Sequence, residues 1–239
     1  MDLQVFPRTV RQEAVEKLRA AILAGRFQPG DRLVEADLCK VLGVSRPSLR
    51  EALRSLEAER LIAIVPNRGP QIPIVSWTEA EEIYHVRALL EGEAAALSAQ
   101  RAGPGDLKEM EAALAAFTRA TRAGDSGGRI ERTMRFYAAI LRSCGNKTIE
   151  ELIQSLQARI NFLRARSMSK PGRARLSLAE MKAIHAAIGR RDAEAARRAA
   201  IEHIRQAQRA AKSIYDADAE MAALVSAPKS GASHDVLRT

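Results

Sequence analysis

The chain has 239 residues, of which 46% are hydrophobic and 4% aromatic, and its formal net charge is +9. This length allows one large domain or two small ones, and the abundance of Ala, Leu, Arg and Glu favours helices. The N-terminus lacks the apolar stretch of a signal peptide, and no window approaches the ~18 apolar residues of a membrane span. The two cysteines have no zinc-binding spacing. We therefore expect a cytoplasmic protein without a membrane partner.

The first 75 residues predict two short helices joined by a tight turn and followed by a hairpin. Helices are predicted at about 9–24, 35–42 and 46–60, with Gly25 ending the first and the turn Gly43-Val44-Ser45 preceding the third. Two β-like runs, 61–65 and 71–75, flank a turn at 66–70. This order predicts a winged helix-turn-helix domain over residues 1–75.

Strand signals disappear after Val75, and residues 76–78 resemble a linker. Thr78 with Glu81 predicts a capping box at the start of a long helix, Ser177 with Glu180 predicts a second, and Asp192 is expected to cap the last helix. Helices are predicted at about 79–101, 104–123, 128–143, 147–167, 178–190 and 193–215. The fold class is therefore mainly α, with an all-helical bundle of about six helices over 79–215 and a disordered tail over 216–239.

The third predicted helix places three arginines on one face. Arg46, Arg50 and Arg54 recur every four residues, away from an apolar stripe formed by Leu49, Ala52, Leu53 and Leu56. The N-terminal end of a recognition helix faces base edges in the major groove, where an arginine can contact guanine bidentately. Ser45 and Ser48 add short donors for phosphate oxygens. An arginine face that contacts only solvent is the alternative.

The predicted hairpin favours the first interpretation. Its tip carries Asn67, Arg68 and Gly69, at the place where a wing would touch phosphate or the minor groove. Because the arginine face and the hairpin tip occur together, we expect double-stranded DNA as a partner.

Residues 8–75 resemble the DNA-binding domain of the GntR superfamily. The resemblance is carried by Leu18-Arg19-x-x-Ile22-Leu23-x-Gly25-x-x-x-Pro29-Gly30-x-x-Leu33-x-Glu35, by Leu42-Gly43-Val44-Ser45-Arg46-x-x-Leu49-Arg50-Glu51-Ala52-Leu53-x-x-Leu56-Glu57, and by Leu61 to Pro66-Asn67-Arg68-Gly69. It implies a homodimer on a palindromic operator, with DNA-contact positions at Ser45, Arg46, Ser48, Arg50 and Arg68. Arg60 departs from the family, which usually has a helix-ending glycine there.

Residues 78–215 resemble the C-terminal FCD-type domain of the FadR subfamily, and a count of six helices suggests its VanR-like branch. The resemblance is carried by Tyr84-x-Val86-Arg87-x-x-Leu90-Glu91-x-x-Ala94-Ala95, by Phe136 to Gly145-Asn146, by Glu180 to Asp192 and by His203-Ile204. It implies a domain that dimerises and holds a small organic acid.

Many members of this subfamily coordinate a divalent metal with one Asp and three His. The resemblance places Thr133, Tyr137, Met181 and His203 at those positions, so only His203 is retained. The other three are poor ligands for Zn, Ni or Mn. His185, one turn from Met181, could turn inward but would not complete a strong site. We therefore predict no metal and no other cofactor.

An arginine on an apolar stripe marks the candidate effector pocket. Arg87 recurs with Ile83 and Leu90, and a buried arginine must pair or line a cavity. The sequence leaves open whether it pairs with Glu91 or contacts a ligand. The remaining candidates for effector binding are Arg135, Tyr137, Asn161, Arg164, Met181, His185 and His203. An arginine-lined, metal-free pocket suits a carboxylate or phosphate.

The leading hypothesis is a homodimeric repressor whose operator affinity responds to a small anionic effector, with motion at residues 76–78 as the coupling. The alternative is a ligand-independent regulator whose helical domain serves only dimerisation. An enzyme is not expected, because the sequence contains no Gly-rich phosphate loop, nucleophile elbow or HExxH-type metal motif.

Overall fold

The computed structural model describes residues 10–23, 26–27, 29–59 and 61–226. Within these residues, three helices and a hairpin precede seven further helices, so the mainly α fold is confirmed. The described residues contain no helix both long and apolar enough to cross a membrane.

The N-terminal part is a winged helix-turn-helix. Its elements are α1 (Val10–Leu23), α2 (Glu35–Leu42), α3 (Arg46–Ala58), β1 (Ala63–Val65) and β2 (Gly69–Gln71). A separate hydrophobic cluster joins α1, α2, α3 and the hairpin through residues such as Leu18, Leu38, Leu53 and Ile72. Gly25 and Arg60, the expected ends of the first and third helices, lie outside the described residues.

The C-terminal part is a helical bundle with its own core. Its elements are α4 (Trp77–Arg101), α5 (Pro104–Arg122), α6 (Ser126–Cys144), α7 (Lys147–Ser155), α8 (Gln157–Ser169), α9 (Arg173–Gly189) and α10 (Ala193–Ser226). This second core extends from Val75 to Ala211 and is built mainly from alanine, leucine and isoleucine. Close packing of α4 against α10 uses small residues, including the buried Gly92.

The hairpin is shorter than predicted, and its second strand was misplaced. β1 pairs with β2 antiparallel, with Ala63 opposite Gln71 and Val65 opposite Gly69. The sequence predicted the return strand at 71–75, but pairing starts at Gly69, because only residues 66–68 are needed to reverse the chain. On the side away from β1, residues 30–33 bond to β2 and its continuation, and the Pro70 carbonyl accepts the Leu33 amide there at 2.8 Å.

Three expectations about the bundle were wrong. The segment 147–167 is two helices, because the Leu156 amide closes a tight bond to the Ile153 carbonyl at 3.1 Å and the helix restarts there. The bundle therefore has seven helices among the described residues rather than about six. Helix α9 begins at Arg173, so Ser177 and Glu180 lie inside it and form no capping box.

The ends of α4 and α10 also differ from expectation. Ser76, not Thr78, caps α4, and its hydroxyl accepts the Glu79 amide at 3.2 Å. The predicted disordered tail is helical as far as Ser226, because Ala- and Glu-rich sequence has high helix propensity and Tyr215 anchors this end of α10. The tail beyond Ser226 lies outside the described residues. The cap at Asp192 is confirmed by its bond from the Ala195 amide at 2.9 Å.

Candidate nucleic-acid interface and candidate effector site

Helix α3 is held in the orientation of a recognition helix by its cap and its apolar stripe. The Ser45 side chain accepts the Ser48 amide at 3.4 Å, and Pro47 in the first turn sacrifices no intrahelical bond. The preceding turn uses Gly43 at φ 67, a left-handed conformation that ends α2. The inward residues of α3 are fully buried: Leu49, Ala52, Leu53 and Leu56.

Because the stripe faces inward, the arginines face outward. Arg46, Arg50 and Arg54 are all exposed. Two of them make surface ion pairs, Arg50 with Glu35 of α2 and Arg54 with Glu51 one turn earlier. Exposed pairs of this kind contribute about 0–1 kcal/mol, so a DNA phosphate or base can replace the glutamate at little cost. Ser45 is exposed and Ser48 half-buried at the same end of α3.

The hairpin presents a short basic tip. Asn67 at φ 61 and Gly69 at φ 79 make the reversal between β1 and β2, and the Arg68 amide bonds the Val65 carbonyl at 3.0 Å. Asn67 and Arg68 are exposed, and Gly69 is half-buried. The tip therefore offers a cation and an amide to a duplex without disturbing the core.

Inside the helical bundle, five helices contribute buried polar side chains to one cluster, which we call the effector cluster. Its members are Arg87 and Glu91 of α4, Tyr137 of α6, Asn161 and Arg164 of α8, Arg173 and the half-buried Glu180 of α9, and His203 of α10. Polar groups at this depth are costly unless they are paired or functional.

Arg87 and Glu91 form an ion pair in the centre of the cluster. Arg87 Nε donates to Glu91 Oε1 at 2.8 Å, with 1% of each side chain exposed. Burial by itself would raise the pKa of Glu91, but the charges of Arg87 and Arg164 outweigh it and hold that pKa below its usual value. The pairing predicted as one alternative is therefore present, yet Arg87 Nη1 and Glu91 Oε2 have no hydrogen-bond partner within the described part of the chain.

Arg164 is buried, and no carboxylate of the described residues forms an ion pair with it. Its Nη1 donates to Asn161 Oδ1 at 3.2 Å, its Nε has no partner, and its guanidinium carbon lies 4.9 Å from the centre of the Tyr137 ring. Burial, together with the positive charge of Arg87, lowers the pKa of Arg164 to about 10. The buried Tyr137 hydroxyl also has no hydrogen-bond partner in the described ranges.

The cluster contains a second charged group, formed by Arg173, Glu180 and His203. Arg173 donates through both terminal nitrogens to Glu180, at 2.8 and 2.7 Å, and His203 Nδ1 lies 2.7 Å from Glu180 Oε2. Burial lowers the pKa of His203 although Glu180 opposes the shift. The imidazole is therefore neutral at pH 7, and its Nδ1–H donates to the carboxylate.

Both parts of the chain match known protein families. The FCD domain family matches residues 82–206, and the bacterial regulatory proteins of the gntR family match residues 10–72.

The chain belongs to the GntR family of bacterial transcription regulators with an FCD domain.

Individual relatives of this regulator agree with the assignment. The galactonate operon transcriptional repressor of Escherichia coli is 31% identical over 81% of this chain and 93% of its own length. The HTH-type regulator YdhC of Bacillus subtilis is 29% identical over 78% of this chain and 84% of its own. Among solved structures, E. coli McbR/YncC has the same fold, with a TM-score of 0.76 at 24% identity, over 89% of this chain and 100% of its own.

The family's metal-ligand positions do not fit a metal in this regulator. The Thr133 hydroxyl donates to the Arg129 carbonyl at 2.9 Å, Met181 supplies only a fully buried thioether, and His203 bonds Glu180. Burial raises the pKa of Tyr137, which disfavours the phenolate that a metal would need. The described residues contain no group of three or more His, Cys, Asp or Glu arranged to hold a metal ion.

The structure brings most of the expected effector residues together. Arg87, Tyr137, Asn161, Arg164 and His203 are members of the cluster, and Met181 is buried in the core of the bundle.

Two expected residues lie elsewhere. Arg135 is on the solvent side of α6, 67% exposed and 3.6 Å from Glu131. His185 faces α5, where its Nε2 lies 3.2 Å from the Leu107 carbonyl. Helical spacing explains both, since each side chain points to a different face from the cluster residues on its own helix.

The sequence does not predict two members of the cluster, Arg173 and Glu180. Glu180 is expected in a helix cap with Ser177, and Arg173 follows Pro171-Gly172, which is typical of a loop. The seven-residue interval between Arg173 and Glu180 is two helical turns, so it would have placed them on one face had the helix start been known.

Proposed function

We propose that this regulator is a homodimeric repressor that binds a palindromic operator through Ser45, Arg46, Ser48, Arg50, Arg54 and the hairpin tip, and releases or tightens on that operator when a small anionic ligand binds the effector cluster. The observation that carries the proposal is the outward arginine face of α3 beside an exposed basic hairpin tip. Repression is favoured because one relative is named as an operon repressor. The proposal assigns the protein no catalytic activity.

An exposed apolar strip supports dimerisation. Val86 and Leu89 on α4 are 37% and 60% exposed although they belong to the central helix of the bundle. Large apolar residues three positions apart form one patch on a helix surface, and such a patch is typical of a partner contact. A second copy of the chain would cover it and place two α3 helices on one duplex.

Helix α8 is the best candidate for coupling the ligand to the DNA-binding domain. Its Arg164 and Asn161 belong to the effector cluster, while its Ala158 packs against the N-terminal core. Asn161 and Ile72 both line a groove of about 320 Å³ between the two domains. A ligand that displaces Arg164 would therefore shift the surface on which the DNA-binding domain rests.

We propose coupling through α8 in place of the motion expected at residues 76–78. Trp77 already belongs to α4, and Ser76 caps it. The Tyr215 hydroxyl donates to the Val75 carbonyl at 2.8 Å, and the rings of Trp77 and Tyr215 meet edge to face at 5.4 Å. These contacts fix the junction to α10, so we place the movable contact at α8.

Selection from a library of random duplexes tests the DNA-binding proposal. Recovered sequences should share an inverted repeat, and sedimentation of the complex should give two protomers per duplex. Leu89→Glu should lower the dimer fraction, whereas Leu152→Glu, on an exposed part of α7, should not. A single unrepeated half-site bound by one protomer would contradict the dimer, and the absence of any enriched sequence would contradict specific DNA reading.

The ligand-independent alternative is separated by thermal unfolding with a panel of organic acids. A ligand present at 100 times its Kd should stabilise the protein by ~2.7 kcal/mol. If none stabilises the protein and none alters operator affinity, the helical domain serves dimerisation alone.

A further inference from the structure

The effector cluster has one more positive charge than negative charge. Three arginines, Arg87, Arg164 and Arg173, face two glutamates, Glu91 and Glu180. Arg87 pairs with Glu91 and Arg173 with Glu180. Among the described residues, no carboxylate lies within ion-pair distance of Arg164, which is only 5% exposed. A buried, unpaired guanidinium is strongly unfavourable unless something else supplies the negative charge.

Several hydrogen-bonding atoms of the cluster have no partner among the described residues. The donors without an acceptor there are Arg87 Nη1, Arg164 Nε, Arg173 Nε and the Tyr137 hydroxyl, and the carboxylate oxygen without a donor is Glu91 Oε2. The guanidinium carbon of Arg164 lies 4.9 Å from the centre of the Tyr137 ring, and Arg87 Nε donates to Glu91 Oε1 at 2.8 Å. The charges of Arg87 and Glu91 both act on the pKa of Arg164. Buried polar atoms normally have partners, so this set indicates a ligand with complementary atoms.

We propose that the effector cluster binds a hydroxylated monocarboxylate directly, without a metal ion, with the ligand carboxylate on Arg164 and Arg87 and a ligand hydroxyl donating to Glu91 Oε2. This inference deepens the proposed effector role and rests on it. Arg164 is the residue that anchors the anion, and Tyr137 can donate to the same carboxylate.

The single surplus positive charge of the cluster favours a hydroxylated monocarboxylate over other small anions. A single carboxylate neutralises the one surplus charge, whereas a phosphate, with a charge of about −1.5 to −2, or a dicarboxylate would bury an excess of negative charge. A zwitterionic amino acid would satisfy Glu91 Oε2 through its ammonium group but would leave the surplus charge in place. A hydroxyl donates to Glu91 without adding charge.

The same groups exclude the family's use of a metal here. A divalent cation would lie beside three arginines, and the one retained ligand, His203, is held by Glu180 at 2.7 Å. The guanidinium of Arg164 therefore supplies the positive charge that a metal supplies in other members of the family.

Thermal unfolding of chelator-treated full-length protein tests the ligand class. The probes are D-gluconate and L-lactate, compared at equal ionic strength with propionate, succinate, L-alanine, inorganic phosphate and chloride. At least one hydroxylated monocarboxylate should raise the unfolding midpoint more than any comparison compound, and added Zn²⁺, Ni²⁺ or Mn²⁺ should not increase the shift.

Several results would overturn the inference. A larger shift with succinate or phosphate would refute the charge assignment, a shift that needs added metal would refute direct binding, and no shift beyond chloride with either hydroxy acid would refute the site. If the protein still selects an inverted repeat in any of these cases, only the ligand inference fails. If it selects no duplex, the proposed function itself fails.

Arg164→Met separates a ligand anchor from a structural arginine. The variant should bind the hydroxy acid roughly tenfold more weakly or worse, as expected for loss of a charged hydrogen bond. Its ligand-free midpoint should equal or exceed that of the wild type, because the surplus buried charge is gone. Arg135→Met, outside the cluster, should change neither quantity. A large fall in the ligand-free midpoint, or unchanged ligand binding, would overturn the role of Arg164.

Discussion

Arg50 Nε lies 3.0 Å from Glu35 Oε2, joining the recognition helix to α2 while 63% of the arginine side chain stays exposed. The glutamate holds the guanidinium over the surface of the helix-turn-helix in the absence of DNA. Since the pair is open to solvent, DNA can take the arginine without a large penalty.

Arg50→Ala should weaken specific operator binding by ~1–3 kcal/mol, because a bidentate contact to a guanine would be lost. The midpoint of thermal unfolding should change little, as the side chain is on the surface. Gel-shift titration against the selected operator measures the effect. Arg122→Ala, an exposed arginine at the end of α5, removes the same charge and should leave operator affinity intact. Full specific affinity in Arg50→Ala would argue against α3 as the reading helix.

Arg68→Ala should weaken binding to all duplexes by a similar factor, because a hairpin tip contacts backbone or minor groove rather than the major-groove edges. The slope of log affinity against log salt concentration should become shallower by about one. Fluorescence anisotropy over a series of salt concentrations gives this slope. An unchanged slope would place the hairpin tip away from the phosphates.

Removing one member of the Arg87–Glu91 ion pair should lower the free energy of unfolding far more than removing both members together. Arg87→Met leaves a buried carboxylate without its main partner, and the free energy of unfolding should fall by ~3–5 kcal/mol. The double variant Arg87→Met with Glu91→Leu should recover most of this loss, since both charges are gone. Urea unfolding of the two variants measures the difference, and equal losses would show that packing, not charge, governs this position.

Lowering the pH should weaken the Arg87–Glu91 ion pair. Burial opposes ionisation of Glu91, but the charges of Arg87 and Arg164 keep its folded pKa below the unfolded value of about 4.3. A carboxyl group with a lowered folded pKa contributes its full stability above that unfolded value and loses it as the pH falls through the folded pKa. As the pH falls from about 5 to about 3, the free energy of unfolding should therefore decrease more in the wild type than in Glu91→Gln. Identical pH dependence would contradict this assignment.

The contact between α4 and α10 depends on a glycine. A Cβ added at Gly92 would lie 2.8 Å from Ile201 Cγ1. Gly92→Ala should therefore destabilise the bundle by ~1–3 kcal/mol through overpacking, although alanine is the better helix former. Gly189→Ala is the matched control, because no atom lies within 4 Å of the added Cβ, and it should be neutral or stabilising by up to ~1 kcal/mol. A neutral Gly92→Ala would mean that α4 and α10 can separate locally.

The sequence alone determined the winged helix-turn-helix, the outward arginines of α3 and the helical character of the rest, because these depend on local spacing: Ser45 caps, Leu49 and Leu53 recur on one face, and Arg50 falls on the other. The break at Leu156 and the continuation of α10 beyond Asp216 were not foreseeable in this way. The break at Leu156 depends on the neighbours against which α7 and α8 pack, whereas residues 216–220 of α10 are exposed and stay helical through their own propensity.

Only the tertiary structure decided the composition of the effector cluster. Arg87, Arg164 and Glu180 come from three helices, and no spacing along the chain relates them. Whether a buried arginine is paired or left over depends on which carboxylates the packing brings within reach. Charge balance inside a core is a property of the assembled bundle, whereas a helix face is a property of its own residues.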